Sequence, residues 1–128
     1  MDISERSYGP VSVFAPVGRV DLTTGDVFQK RLLGSVARGK VDGSSLVLDF
    51  SEVGYISSIG LRAIMMAAKQ AKANNTKLAL ANLSPTVKEI FDISGFSSII
   101  KILPTTREAL AWVSEQAASA FDLAASKA

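Results

Sequence analysis

The apolar run at residues 45–50, Ser-Leu-Val-Leu-Asp-Phe, restricts the fold of this chain more than any other segment. Its three consecutive aliphatic residues leave no polar face, which is typical of a strand buried on both sides of a sheet. After residue 58 the apolar residues recur at helical spacing, so a helix follows this strand. A strand of this kind needs helices over its sheet, and the run therefore predicts an α/β fold.

Strand-like and helical patterns alternate along the rest of the chain, with short connections between them. Residues 11–20 predict an early strand, which Pro10 and Pro16 limit to a sheet edge or split in two. Residues 77–81 and 99–103 predict later strands. Helices are predicted from Thr23 or Thr24 to about residue 38, from Ser58 to about residue 73, from Ser84-Pro85 to residue 95, and from Thr105 or Thr106 through residues 120–124.

The apolar stripes of the first two helices predict which side chains face the sheet. On the first helix these are Val27, Leu32, Leu33 and Val36, and on the second they are Leu61, Ile64, Met65, Ala68 and Ala71.

The chain has no cysteine and no histidine, which excludes several kinds of site. Without cysteine there are no disulfides, no zinc–thiolate sites and no thiol catalysis, a composition that fits a reducing compartment. Without histidine there is no Ser-His-Asp triad and no imidazole metal ligand. The formal charge of +2 is scattered rather than collected in a basic run, so nucleic-acid binding is not expected. Few enzyme mechanisms remain, and we do not expect catalysis.

The N-terminus is polar and acidic, unlike a signal peptide. No apolar stretch approaches the ~20 residues that cross a bilayer. We therefore expect one soluble, cytoplasmic domain over residues 1–128.

Ser57 and Ser58 lie in the turn between the buried strand and the second helix. The first free backbone N–H groups of a helix point outward there, and they suit a capping hydroxyl and a phosphate equally well. Both interpretations are open, although only one of two adjacent serines can be the cap. Gly60, in the first helical turn, costs about 1 kcal/mol relative to alanine. That cost indicates that another group approaches the backbone closely at Gly60.

Other patterns of site residues are absent from the sequence. Neither G-x-x-x-x-G-K-[ST] nor G-x-G-x-x-G occurs, so there is no Gly-rich phosphate loop. The carboxylates of Asp21, Asp26, Asp49 and Glu52 follow no metal-loop spacing. Neither a metal site nor a cofactor is expected.

Four segments in order resemble the STAS domain family, and within it the bacterial anti-sigma factor antagonists. They are residues 18–21 (Gly-Arg-Val-Asp), residues 46–53, which end in Asp-Phe-Ser-Glu-Val, residues 55–61 (Tyr-Ile-Ser-Ser-Ile-Gly-Leu), and residues 83–96, which include Ser-Pro-Thr-Val and Ile-Ser-Gly-Phe. The resemblance covers about residues 11–113. It implies a small mixed sheet of four or five strands with helices mainly on one face, followed by a long C-terminal helix that ends near residue 124.

The resemblance also implies a switch at Ser58. In such antagonists the serine after the Asp of the turn is phosphorylated by a kinase that is also the anti-sigma factor. Unphosphorylated antagonist binds this kinase and frees a sigma factor, and phosphorylated antagonist releases it. Ser57 stands where the family carries Asp, which makes Ser57 an alternative acceptor. Ile59 stands where the family carries Ser or Thr.

The predicted partner surface combines family positions with the exposed side of the second helix. Projected at about 100° per residue, that side lies opposite the buried stripe and begins one turn after Ser58. Alternatively, the exposed side of the second helix is an ordinary solvated face. Asp21, for its part, is alternatively a turn or pre-helix capping residue. The predicted partner-binding residues are Asp21, Ser57, Gly60, Arg62, Met66 and Lys69.

The leading hypothesis is a phosphorylation-switched anti-sigma factor antagonist that binds an anti-sigma factor/serine kinase. A serine phosphatase is a further candidate partner, and the last helix, with Trp112 and Phe121, is a candidate dimer contact. The alternative is a non-phosphorylated STAS subunit of a transport or stress-sensing complex. An enzymatic hypothesis, hydrolysis through carboxylates such as Asp49, is the third.

Overall fold

The computed structural model describes residues 1–127, in which strands and helices alternate as the sequence predicts. The strands are β1 (Asp2–Tyr8), β2 (Val11–Val17), β3 (Arg19–Val20), β4 (Ser45–Asp49), β5 (Tyr55–Ile56), β6 (Leu78–Ala81) and β7 (Lys101–Leu103). The helices are α1 (Gly25–Asp42), α2 (Ser58–Ala73), α3 (Pro85–Ile93), α4 (Thr106–Val113) and α5 (Glu115–Ser126), with one 3₁₀ turn at Phe96–Ser98.

Five strands form one mixed sheet in the order β1-β2-β4-β6-β7. β1 runs antiparallel to β2, and the other neighbours are parallel, with Val13 beside Val47 and Val47 beside Ala79. The short strands β3 and β5 pair separately and in parallel. The predicted fold class, a small mixed sheet of four or five strands in an α/β protein, is confirmed.

The sheet is buried on both faces, as the run at residues 45–50 predicts. Leu46 and Leu48 of β4 point to one face, where α1, α2 and α3 pack, and Val47 points to the other, where α4 and α5 pack. Burying each such side chain contributes roughly 1.5–3 kcal/mol. Three of the five helices therefore cover the larger core, and α4 and α5 close the opposite face.

The N-terminal strand β1 was not predicted. For residues 11–20 the predicted edge position is wrong, and the strand is divided instead, at Gly18 between β2 and β3 rather than at a proline. β1 shields β2, so β2 lies inside the sheet. Pro16 is tolerated there because the pairing of β2 with β4 ends at Phe14, two residues earlier. The polar β1 is held partly by Glu5, whose carboxylate accepts hydrogen bonds from Ser35 (2.6 Å) and Arg38 (2.7 Å).

Two details of the helices differ from the prediction. Near the start of α1, Phe28 is buried in place of the predicted Val27, which is 43% exposed. The helix also continues beyond the predicted residue 38 to Asp42. The predicted long last helix is divided at Ser114, which is extended (φ −163°, ψ 126°) and starts α5 by accepting a hydrogen bond from Ala117 N. A serine that caps a new helix is a local alternative to helix continuation.

Candidate functional site

Two loops meet at one end of the molecule, and the pairing of β3 with β5 holds them together. The Ser57 backbone N–H donates to the Val20 carbonyl oxygen at 2.8 Å, directly after the two strands end. The Gly25 N–H donates to the Asp21 carbonyl oxygen at 2.7 Å and so fixes the start of α1. The pairing of β3 with β5 therefore places the predicted site residues Asp21, Ser57 and Ser58 directly after neighbouring strands.

The two serines differ in accessibility. Ser57 is the extended residue before α2 (φ −88°, ψ 174°), and its Oγ is buried without a hydrogen-bond partner among residues 1–127. Ser58 is the first residue of α2 and is exposed. The exposed serine of the pair is therefore Ser58.

Of the capping interpretation, the position is right and the hydrogen bond is not: Ser57 is the N-cap residue of α2, but its hydroxyl caps no backbone N–H. Ser58 lies inside the helix, and the Ser57 side chain makes no capping hydrogen bond. Elsewhere in this chain capping hydroxyls are used: Ser84 accepts from Val87 N at 3.2 Å, and Thr105 accepts from Glu108 N at 3.1 Å. The first backbone N–H groups of α2 thus lack the capping hydroxyl that accepts a hydrogen bond at the starts of α3 and α4.

These donors are the backbone N–H groups of Ser58, Ile59 and Gly60. The first hydrogen bond that fits the α-helical pattern runs from Leu61 N to the Ser57 carbonyl oxygen at 3.0 Å, and the three preceding N–H groups have no partner within the helix. The partial positive charge of a helix N-terminus adds to them. The site can therefore accommodate negative charge on the Ser58 side chain without a change of backbone.

Gly60 is needed for packing. A Cβ atom there would lie 2.6 Å from Cγ1 of both Val20 and Ile56, so the close approach that the sequence indicated is confirmed. A Cβ on Gly25 would lie 2.6 Å from Ile59 Cγ2, which brings the start of α1 against the start of α2. Gly60 is buried, and its place at the site is to let β3 and β5 lie under the first turn of α2.

Asp21 organises the loop that enters α1. Its Oδ1 accepts hydrogen bonds from the Thr23 hydroxyl (2.8 Å), Thr23 N (3.0 Å) and Thr24 N (3.3 Å), so its turn role is confirmed. These bonds, led by that of the Thr23 hydroxyl, hold the pKa of Asp21 below its usual value because they favour the charged carboxylate. The Asp21 carboxylate is therefore held in its charged form in this loop, where it pairs with Arg19.

Arg19 is a site residue that the sequence interpretation missed. Its guanidinium carbon lies 4.4 Å from the centroid of the Tyr55 ring, and its Nε lies 3.6 Å from Asp21 Oδ2. The pairing of β3 with β5 creates this contact by placing Arg19 opposite Tyr55. A basic and an aromatic residue on two short segments gave no signal, because the pairing of the segments was not predicted.

The outer side of α2 presents the predicted residues. Arg62 and Lys69 are exposed and Met66 is 39% exposed, while Leu61 and Ile64 are buried as predicted. Leu22, 81% exposed in the loop after Asp21, was missed. An apolar residue that directly follows the Gly-Arg-Val-Asp segment, outside any apolar stripe, is the signal that would have found it.

The remaining carboxylates are dispersed. Asp26 pairs with Lys30 at 3.2 Å, and Asp49 accepts hydrogen bonds from Ser51 N (3.0 Å) and Asn82 Nδ2 (2.9 Å). Among residues 1–127 there is no group of three or more acidic side chains arranged to hold a metal ion. Over the same residues, none of the helices combines the length and the apolar character that spanning a membrane requires.

Comparison with known proteins gives consistent results. The family model described as the STAS domain matches residues 3–109. The chain is 37% identical to BtrV of Bordetella bronchiseptica, named as a candidate anti-sigma factor antagonist, over 73% of this chain and 78% of that protein. It is 31% identical to the anti-sigma-B factor antagonist of Listeria monocytogenes, over 80% of this chain and 86% of that protein.

A solved structure with a similar fold comes from Thermotoga maritima and is described as a candidate anti-sigma factor antagonist. It superposes with a TM-score of 0.79 at 20% identity, and the match covers 87% of this chain and 93% of that one. At this identity the likeness concerns the fold.

Proposed function

The chain belongs to the STAS domain family, and on that basis we propose that it is an anti-sigma factor antagonist switched by phosphorylation of Ser58. In this proposal the unphosphorylated protein binds an anti-sigma factor that is also a serine kinase, and the bound sigma factor is released to act in transcription. The protein is regulatory, cytoplasmic and bacterial, and it has no catalytic activity of its own.

The observation that carries the proposal is the difference between the two adjacent serines. Ser58 is exposed at the first position of α2, and Ser57 Oγ is buried. A kinase must reach the acceptor oxygen, so Ser58 is the acceptor and the alternative at Ser57 is disfavoured. Loss of the family Asp at position 57 leaves the acceptor position itself in place.

The switch is expected to act outside the fold. A phosphate brings about −1.5 to −2 charge, and the three free N–H groups at the start of α2 favour that charge. A partner that carries acidic groups or nucleotide phosphates at this surface is then repelled, and the complex dissociates.

The contact surface proposed for the kinase surrounds Ser58. Arg62 and Lys69 supply positive charge, while Met66 and Leu22 supply exposed apolar area. Methionine adapts its shape well at such surfaces. A serine phosphatase that removes the phosphate would return the protein to its binding form.

The direct test mixes the purified protein with the candidate serine kinase from the same organism. With ATP, phosphopeptide mapping should find a single phosphate on Ser58. With ADP, gel filtration should find a stable complex. Ser57→Ala should keep both properties, Ser58→Ala should keep only the complex, and Ser58→Asp should lose the complex.

Phosphate on Ser57 would contradict the assignment of the acceptor. A wild-type protein that neither accepts phosphate nor binds the kinase would contradict the function itself. In that case, co-purification with transporter or stress-complex subunits, unaffected by Ser58→Asp, would support the non-phosphorylated STAS subunit instead.

A further inference from the structure

A basic groove lies at the end of the molecule opposite Ser58. It has a volume of about 500 Å³ and opens between the C-terminal end of α2, the starts of β6 and β7, and α4. Ser58 and Lys72, at opposite ends of α2, are about 21 Å apart along the helix axis at 1.5 Å per residue. The groove is therefore distant from Ser58, although the surface proposed for the kinase extends along α2 as far as Lys69, whose neighbour Ala68 lines the groove.

Two lysines converge on one tryptophan in this groove. Lys77 Nζ lies 4.8 Å and Lys101 Nζ lies 5.7 Å from the Trp112 ring centroid. Lys72 also lines the groove. Each ammonium group is attracted by the indole ring, but the two groups repel each other. A bound anion close to both ammonium groups would reduce that repulsion.

No carboxylate of the described residues neutralises these lysines. The groove lining contains neither Asp nor Glu, and Lys72, Lys77 and Lys101 form no ion pair within residues 1–127. Asp92 forms a hydrogen bond with Ser97 of the groove lining. Its Oδ2 is already paired with Lys88 Nζ, 3.2 Å away. The positive charge of the groove is thus available to a ligand.

The groove also offers apolar area, and the edge strand β7 starts beside it, with Lys101 in the groove lining. Ile99 is 64% exposed and Trp112 is 37% exposed. β7 is the last strand on this side of the sheet, so its outer backbone groups have no neighbouring strand among residues 1–127. A small inorganic anion would use the lysines alone. An extended peptide uses all three features, because its backbone pairs with the strand edge and its side chains alternate.

We propose that this groove binds an acidic, apolar-bearing segment of a second protein. The segment adds to the edge of β7, places carboxylates beside Lys77 and Lys101, and packs an apolar side chain on Trp112 and Ile99. A partner bound in the groove leaves Ser58 uncovered, because the groove and Ser58 lie at opposite ends of α2. This site does not depend on the function proposed for Ser58.

The test uses Trp112, the one tryptophan of the chain, as its reporter. A short fluorescein-labelled peptide of alternating glutamate and leucine is titrated into the full-length protein, with Trp112 emission and peptide anisotropy both recorded. Saturable changes in both signals are expected. The double variant Lys77→Glu/Lys101→Glu should weaken binding by about tenfold or more, which corresponds to about 1.4 kcal/mol.

Three controls make the outcome decisive. Arg6→Glu, a charge reversal on β1 at the opposite edge of the sheet, and Ser58→Asp should both leave the peptide affinity unchanged. A peptide with lysine in place of glutamate should not bind. The proposal is overturned if the double variant binds as well as wild type, if neither signal responds to the acidic peptide, or if inorganic pyrophosphate competes at lower concentration than the peptide.

Discussion

Ser57 and Ser84 occupy the same position before their helices but use their hydroxyls differently. Ser84 Oγ caps α3, whereas Ser57 Oγ is buried without a partner among residues 1–127. Ser84→Ala should therefore lower the free energy of unfolding by about 1 kcal/mol. Ser57→Ala should not lower it, because removing an unsatisfied buried hydroxyl leaves no donor unpaired. Urea unfolding measures both variants, and an equal loss in the two would show that Ser57 is a functioning cap.

Gly60 and Gly34 provide a second pair, since both lie in helices but only Gly60 is packed. Gly60→Ala places a methyl group 2.6 Å from Val20 and Ile56 side chains. Overpacking of this kind should destabilise the protein by about 1–3 kcal/mol despite the better helix propensity of alanine. A Cβ on Gly34 would meet no side chain and no other element within 4 Å, so Gly34→Ala should stabilise by up to about 1 kcal/mol. Thermal and urea unfolding of the two variants should move in opposite directions.

At the residue scale the sequence located the site but not its internal arrangement. The position of Ser58 at a helix start and the close approach at Gly60 could be predicted, because both depend on local backbone geometry. The burial of Ser57 Oγ and the stacking of Arg19 on Tyr55 could not. Both depend on the pairing of β3 with β5, two strands of two residues each that carry almost no periodicity.

At the scale of a single element, α2 determines how the fold responds to charge on Ser58. A negative group at the first helical position interacts favourably with the helix dipole, typically by about 0.3–1 kcal/mol. Ser58→Asp should therefore be as stable as wild type or slightly more stable, and Ser58→Lys should be less stable. Salt should reduce the difference, because these charges are exposed. The same prediction holds for the phosphorylated protein.

Urea unfolding at low and high ionic strength tests this prediction. A phosphorylated protein or Ser58→Asp variant that is markedly destabilised would mean that the switch acts by unfolding α2. A switch that acts outside the fold would then have to be abandoned, even if kinase binding were lost as proposed.

Prediction of the elements succeeded where apolar residues were dense. β4, α2, β6 and α3 follow strong patterns and lie close to their predicted bounds. β1 was missed because it contains few apolar residues and is stabilised by pairing with β2 and by the contacts of Glu5. The break at Ser114 was missed because the apolar stripe continues across it, and only the capping hydroxyl shows that a new helix starts.

For the whole molecule, the two proposed interactions lie at opposite ends of the sheet. The loops that carry Asp21 and Ser58 follow β3 and β5, whereas the basic groove lies where β6 and β7 begin. The sheet between them is buried on both sides and gives a rigid connection. The molecule is therefore suited to holding two partners at opposite ends without changing its own fold.

The pH dependence of stability also belongs to the whole molecule, because several carboxylates contribute to it. The pKa of each of four aspartates, Asp21, Asp42, Asp92 and Asp122, is lowered in the fold. The main cause is a hydrogen bond from Thr23, Ser44, Ser97 and Arg107, respectively. The pKa of an aspartate in an unfolded chain is about 3.9. Below that pH the unfolded chain binds more protons than the fold, so stability should fall with acidification.

Above pH 5 the same linkage predicts little change, because these aspartates are charged in both states and the chain has no histidine. Urea unfolding from pH 8 to pH 3 should therefore show a plateau followed by a fall that begins near pH 4. Asp122→Asn should make that fall shallower, since it removes one titrating group together with its bond to Arg107. If the free energy of unfolding begins to fall near pH 6, or rises on acidification, other groups determine the pH dependence of stability. The acid response would then not originate in these four carboxylates, and Asp122→Asn would leave its slope unchanged.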